Sequence, residues 1–388
     1  MKNPCHVTAS LKRTVASPLH TVTLSRNGLD ELFITAVPHR DGETFADMFE
    51  AAMRVVSDAG ATIIAKDVFG LPALEQAEKQ ALHDVFGEPD WPVTWLREGA
   101  SAGEALTGTQ IRAIAGTAVE RIRIDGRVVG SVFSDGCARY ARLADLRSAD
   151  PSAPRTQQAR QTFEMMESAF QSVGMEFSDC VRTWLYLDNI LDWYGEFNEV
   201  RDTFFRERNV FDGLVPASTG IGGSNAAGSA VIANAIAIQP IGPSGDDIKV
   251  FPLPSPLQCP ALEYGSSFSR AIEVAFPGHR HLMVSGTASI EPGGKTACLD
   301  DTLGQIDLTM KVVAAILESR KMDWSDVTRA IAYIKDGTEA PLFAKWLADN
   351  SLPPLPMVTA ENDICRADLL FEIEVDAIQA DGNIDRRG

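Results

Sequence analysis

Met175-Glu176-Phe177-Ser178-Asp179-Cys180-Val181-Arg182-Thr183-Trp184-Leu185-Tyr186-Leu187-Asp188 is nearly repeated by Met322-Asp323-Trp324-Ser325-Asp326-Val327-Thr328-Arg329-Ala330-Ile331-Ala332-Tyr333-Ile334-Lys335. The stretches lie 147 positions apart without a gap, with Met, Ser, Asp, Arg and Tyr in step and an aromatic opposite an aromatic. Self-similarity at fixed spacing marks a duplicated structural unit. Upstream of each block runs a helical pattern: Ala159, Phe163, Met166, Phe170 and Val173 in one copy, Ile306, Met310, Val313 and Leu317 in the other. Further upstream, Val128–Val132 and Leu282–Gly286 read as equivalent strands. Downstream, Pro216 matches Pro356 and Ala237-Ile238-Gln239 matches Ala377-Ile378-Gln379, both 140 positions apart. A seven-residue difference therefore falls in the intervening helix and loop.

Each copy reads strand, helix, strand, helix, strand. A degenerate third copy precedes them, with Leu32–Val37 as strand, Phe45, Met48, Phe49, Ala52, Val55 and Val56 as an amphipathic helix, and Gly60–Asp67 as the next strand. The expected organisation is a degenerate module over 1–125, a second over 126–241, a Pro- and Gly-rich linker over 242–260, and a third over 261–388. The expected class is α/β in the α+β sense, with mixed sheets and helices packed on one face of each.

Composition narrows the function. A chain of 388 residues with 45% hydrophobic content supports several packed units, and no run of 18 apolar residues suggests a membrane span. The formal charge of −18 argues against nucleic acid, which needs clustered Lys and Arg, but not against a small anion held by a few converging arginines. Met1–His6 lacks a basic-then-apolar signal pattern, so a cytoplasmic location is expected. The six cysteines form no C-x-x-C pair and read as free thiols, and the scattered histidines give no metal-ligand spacing.

The last strand, Leu369-Leu370-Phe371-Glu372-Ile373-Glu374, carries the chemistry. Phe371, Ile373 and Val375 alternate with Leu370, Glu372, Glu374 and Asp376, so one face suits helices and the other presents carboxylates. If two modules pair face to face, Glu372 is partly desolvated, which raises a carboxyl pKa and suits a general acid. The duplication supplies a control: Glu372 corresponds to Ile232, so the module does not need the acid to fold. Otherwise Glu372 simply lines a solvated face.

Other candidates have bland alternatives too. Cys365 is a nucleophile if the adjacent Arg366 lowers its pKa, and otherwise a small core residue. Tyr264-Gly265-Ser266-Ser267-Phe268-Ser269-Arg270 suits a polar anion or is a turn before a strand. Lys335 stands where the other copy has Asp188, a swap that suits a carboxylate clamp or a surface site. Gly286 marks close backbone approach to something. Gly220-Ile221-Gly222-Gly223 does not follow the dinucleotide pattern.

Singly, each module resembles the Rid (YjgF) fold, whose members are homotrimers with sites between subunits. Residues 126–380 resemble the chorismatase family, enzymes of fused Rid-like modules that split chorismate into pyruvate and a ring product. The likeness rests on Arg182–Tyr186, Pro216–Gly222, Tyr264-Gly265 with Phe268–Ala271, Val284–Ala288 and, most specifically, Asp363–Glu374. It implies that Glu372 is the general acid that protonates the enolpyruvyl methylene, that Tyr264, Arg270 and Lys335 pair with the substrate carboxylates, and that no cofactor is needed. Gly286 and Cys365 stand where family members yielding 3-hydroxybenzoate have Gly and Cys, and where hydrolytic members have Ala at both. The family's Pro-Arg after Tyr-Gly is replaced by Ser266-Ser267.

Two other readings stand beside this one. A Rid-type imine deaminase uses an Arg directly after the module proline, and here Ala217 and Met357 follow Pro216 and Pro356. A non-catalytic small-ligand binder predicts binding of aromatic carboxylates without turnover. If three modules fill the three positions of a Rid-like trimer, the chain is a monomer.

Overall fold

The computed structural model describes residues 8–38, 44–70, 75–97 and 106–381. Its elements repeat three times in the same order. The first module comprises β1 (Ala9–Ala16), β2 (Leu19–Arg26), β3 (Leu29–Ala36), α1 (Phe45–Asp58), β4 (Thr62–Gly70), α2 (Glu75–Phe86), β5 (Val93–Arg97) and β6 (Leu106–Ala115). The second comprises β7 (Glu120–Ile124), β8 (Arg127–Ser134), β9 (Ala138–Leu146), α3 (Arg155–Gln171), β10 (Cys180–Leu187), α4 (Ile190–Glu207), β11 (Ala217–Gly222) and β12 (Val231–Pro240). The third comprises β13 (Lys249–Leu253), β14 (Ala271–Phe276), β15 (His279–Ala288), α5 (Thr302–Ser319), β16 (Val327–Ile334), α6 (Ala340–Asp349), β17 (Met357–Glu361) and β18 (Phe371–Ala380).

Each module builds one six-stranded mixed sheet. The spatial orders β1-β2-β3-β6-β4-β5, β7-β8-β9-β12-β10-β11 and β13-β14-β15-β18-β16-β17 are the same order three times. The expected α+β class, with tandem modules, mixed sheets and helices on one face of each sheet, is therefore what the chain adopts. The first region is a full third copy.

Three details depart from the sequence expectation. Val128–Val132 lies in β8, whereas Leu282–Gly286 lies in β15, the counterpart of β9 rather than β8. Neighbouring strands of a meander share the same alternating pattern, so periodicity alone misassigned the pair by one strand. Glu120–Ile124 already pairs with β8, so the second sheet begins before residue 126. Lys249–Leu253, inside the expected linker, pairs with β14 as the outer edge of the third sheet. Pro252 is tolerated there because an edge strand leaves some N–H positions without a ladder partner.

The recurring residues of the repeat have local causes. In Glu176–Asp179 and Asp323–Asp326, the recurring Asp accepts a hydrogen bond from the backbone N–H three residues earlier, closing a short 3-10 turn before β10 and β16. A register shift then falls at the same point in all three sheets, between Ile63 and Ala65, Cys180 and Arg182, and Val327 and Arg329. Such bulges re-aim side chains, here turning Arg182 and Arg329 away from the helices.

One face of each sheet packs on its helices. In the third module Phe371, Ile373, Val375 and Ala377 meet Ile306, Met310, Val313 and Leu317, and in the second Ala233, Ala235 and Ala237 meet Phe163, Met166 and Phe170. The opposite faces of all three sheets converge on one shared interior containing Phe69, Tyr186 and Tyr333. Modules join in rotation: β11 meets β15, β17 meets β3 and β6, and β5 meets β9. One chain thus supplies three equivalent seams around a pseudo-threefold axis. Among the described residues, no helix is long and apolar enough to cross a membrane.

Candidate active site

The seam between β11 and β15 opens into a cleft of about 540 Å³, within the range of small-molecule sites. The second module contributes Tyr194, Arg201, Ser218 and Gly220; the third contributes Tyr264, Arg270, Gly286, Cys365, Arg366 and Glu372 among others. Five of the six expected site residues therefore line one cavity.

Glu372 projects from β18 opposite the helix-facing Phe371 and Ile373, and it is 5% exposed. Burial, followed by the nearby charge of Glu374, pushes its carboxyl up to about 8, against the opposing pull of Arg182 and Arg270. It carries a proton at neutral pH, as a general acid must. Gly286 N–H donates to Thr219 Oγ1 at 3.0 Å, and Arg182 Nη2 donates to the same hydroxyl at 2.8 Å. A Cβ added at Gly286 would collide with Glu372 Oε1, so the expected close approach is to the acid itself. Any larger residue at 286 must displace that carboxyl.

Arg270 is held by its Nε and Nη2, which donate to the Cys259 carbonyl at 3.0 and 2.9 Å. Tyr264 lies between two guanidiniums, Arg270 at 5.3 Å and Arg366 at 5.4 Å from its ring centre. Arg366 also donates to the Gly294 carbonyl at 2.8 Å. It is thus engaged with the cleft wall, and its pull on the Cys365 thiol is outweighed. Burial and the neighbouring Glu372 push the Cys365 thiol up to about 12, which leaves a neutral S–H rather than a thiolate. Of the two readings of Cys365, a neutral thiol fits this setting and a nucleophile activated by Arg366 does not.

Lys335 is the expected residue that the cleft does not include. Its Nζ donates to the Ala367 carbonyl and its backbone N–H to Leu370 O, so it ties down the loop before β18 from outside. Periodicity placed it at a strand end but could not say which side of the loop its ammonium would meet.

Sequence reasoning passed over Arg201 and Tyr194, both on α4. Arg201 is 2% exposed; its Nη2 donates to Asn198 Oδ1 at 2.8 Å, while its Nε lacks a partner. A buried guanidinium with an unused donor is a ready anion contact. The available signal was that the copies diverge in this helix and the loop after it, where the seven-residue difference falls and where α4 runs 18 residues against 10 in α6. The glycines of β11 also find a cause. A side chain at Gly222 would strike the Asp363 backbone, and Gly222 N–H donates to Asp363 O at 2.7 Å. They are a module seam.

The other two seams are not built this way. The strand registers pair Tyr333 with Glu372, Tyr186 with Ile232, and Phe69 with Gly108, so these three positions are equivalent. Only one carries an acid. The proline before each parallel edge strand also recurs, as Pro92, Pro216 and Pro356, and is followed by Val93, Ala217 and Met357. The arginine of the imine-deaminase pattern is absent from all three copies.

No family model and no curated protein matches the chain. Among solved structures, single-module proteins match about a third of it: a putative endoribonuclease L-PSP from Entamoeba histolytica at 18% identity, covering 34% of this chain and 100% of that one with a TM-score of 0.29, and E. coli TdcF with bound serine at 16% identity, covering 34% and 99% with a TM-score of 0.27. A crystal structure of chorismatase matches at 18% identity with a TM-score of 0.63, covering 90% of this chain and 98% of that one. That span exceeds what residues 126–388 alone supply, so the match reaches into the first module. The fold of this chain is that of chorismatase.

Proposed function

We propose that the protein converts chorismate, or an enol ether dicarboxylate very like it, into pyruvate and a hydroxylated ring acid, with 3-hydroxybenzoate as the ring product. The observation that carries this reading is a buried carboxyl, Glu372, that shares a cleft with the guanidiniums of Arg270 and Arg201, its burial pushing it up to about 8. A dianionic substrate needs two cationic contacts, and an enol ether needs one acid near its methylene carbon. Arg201 supplies from α4 the cation that Ser266-Ser267 do not supply.

Glu372 gives its proton to the methylene carbon, and the enol ether becomes an oxocarbenium ion. The ring C3–oxygen bond breaks to release pyruvate as the neighbouring C4 hydroxyl oxygen closes onto C3 and gives up its proton. Protonation and opening of that epoxide at C4, with loss of the C3 hydrogen, leaves the hydroxyl on C3. Chorismate is an isomer of pyruvate plus 3-hydroxybenzoate, so the ring returns one proton as it becomes aromatic and no water is consumed. Gly286 leaves the acid its position, and the neutral Cys365 lines the ring side of the cleft. The chain acts without a cofactor and, with all three seams internal, as a monomer in the cytoplasm.

The test is incubation of pure protein with chorismate, with pyruvate and ring acids assayed together. Pyruvate with 3-hydroxybenzoate is expected, and well-folded protein yielding no pyruvate overturns the reading.

A further inference from the structure

Two residues beyond Glu372 on the same face of β18 stands Glu374, which is fully buried. It accepts hydrogen bonds from Arg182 Nη2 at 3.0 Å, Trp184 Nε1 at 2.8 Å and Arg329 Nη2 at 2.6 Å. Arg182 and Trp184 belong to the second module and Arg329 to the third, so the seam between modules closes on this one carboxylate. It does not line the cleft and cannot touch a substrate there. At about 7 Å along the strand, it is close enough to act on Glu372 through a low-dielectric interior.

The threefold repetition shows that the fold does not require a charge at this strand position. The registers pair Ile331 with Glu374, Trp184 with Asn234 and Asp67 with Gln110, so the equivalent positions hold neutral amides. Asn234 donates to Asp67 Oδ1 at 3.0 Å, and Gln110 donates to the Ala330 carbonyl at 2.9 Å. At the seam of the first and second modules the carboxylate comes from the neighbouring strand instead, Asp67, which also pairs with Arg142 at 3.1 Å. At the strand position itself, a carboxylate appears only where the position two residues earlier is itself an acid.

We propose that Glu374 is a positioning residue for the reaction: its buried negative charge holds the neighbouring Glu372 carboxyl in its proton-bearing form. As a catalytic role this rests on the reading of Glu372 as the acid. The groups that bear on Glu372 are Glu374 on its own strand, Arg182 on β10, Arg270 before β14, Cys365 on the preceding loop, Tyr194 on α4 and Tyr333 on β16. The two tyrosines and the thiol are uncharged near neutrality, because burial pushes each of them up. Glu374 is then the anion that opposes the pull of Arg182 and Arg270, with the guanidiniums of Arg201 and Arg366 also lining the cleft.

The experiment titrates the Glu372 carboxyl in full-length protein carrying side-chain 13C-glutamate, with the resonance identified by its loss in Glu372→Gln. Glu374→Gln and Glu374→Asn borrow the residues of the equivalent positions, so two neutral variants compatible with the module are at hand. Each is expected to lower the Glu372 midpoint by about one pH unit or more, while Glu374→Asp, which keeps the charge, restores most of it. An unchanged midpoint in the neutral variants, or an equal shift in Glu374→Asp, overturns the proposal. This titration needs no substrate, so it stands apart from the chorismate assay. If chorismate turns over, the falling limb of the pH–rate profile moves with the midpoint.

Discussion

β12 and β18 occupy the same place in consecutive modules, pair with equivalent tyrosines and pack equivalent faces on helices, yet one carries Ile232 and Asn234 where the other carries Glu372 and Glu374. The backbone register is indifferent to the difference. What changes is the seam each strand faces. Glu372 meets a cleft lined by Arg201 and Arg270, whereas Ile232 is 1% exposed beside Asn234, which is paired with Thr94 and Asp67. A duplicated fold can therefore keep one seam for chemistry and use the others for cohesion, because an acid is tolerated only where cations and space accompany it.

The comparison breaks most directly if the two strands are made alike. Glu372→Ile, copying the second module, is expected to fold while lowering the rate of pyruvate release by about 10³-fold or more, in line with loss of a general acid. Glu372→Gln should act similarly with less disturbance of packing. The reverse graft, Ile232→Glu, places an acid where no cation or cleft receives it. It should destabilise the protein by roughly 3 kcal/mol, read as a fall in urea midpoint, with no new activity. Arg201→Ala tests whether the cation on α4 makes the seam competent. Loss of a charged hydrogen-bond donor to the substrate should raise KM by about 10–100-fold, with a smaller effect on kcat.

The pH dependence sharpens the same contrast. Glu372 must be protonated to act, so turnover should be level below about 8 and fall tenfold per pH unit above it. Its folded value also lies above the usual carboxyl value of 4.5, so its contribution to stability is complete below that value and is lost as pH rises through about 8. Thermal melts should show Glu372→Gln gaining on the native chain between pH 5 and 8 and holding its lead above. The smallest effect is expected at Lys335, which ties the Ala367 carbonyl outside the cleft. Lys335→Ala should change KM by less than about threefold.

Much of the architecture was legible before any coordinates. The 147-residue spacing identified the duplicated unit, and the alternation in Phe371–Asp376 placed the aliphatic residues on the helices and the carboxylates together on the other face. The resemblance directed attention to Glu372, Gly286, Tyr264, Arg270 and Cys365, which do converge on one cleft. Arg201 was not found because its helix is where the copies diverge, so repeat comparison offered no counterpart. Lys335 was included because a strand end is visible in sequence while the direction of a long side chain is not.

The sequence by itself determined the repeated unit, its central alternation of strands and helices, and which strand carries an unneeded acid, because these depend on local periodicity and on comparison of a chain with itself. The tertiary structure alone decided that the acid's face is enclosed, that Arg201 from the neighbouring module meets it, and that Glu374 is clasped by Arg182 and Arg329 from two modules. Desolvation and charge pairing depend on what lies across a seam, and residues nearly 200 positions apart become neighbours only when the modules close around their axis.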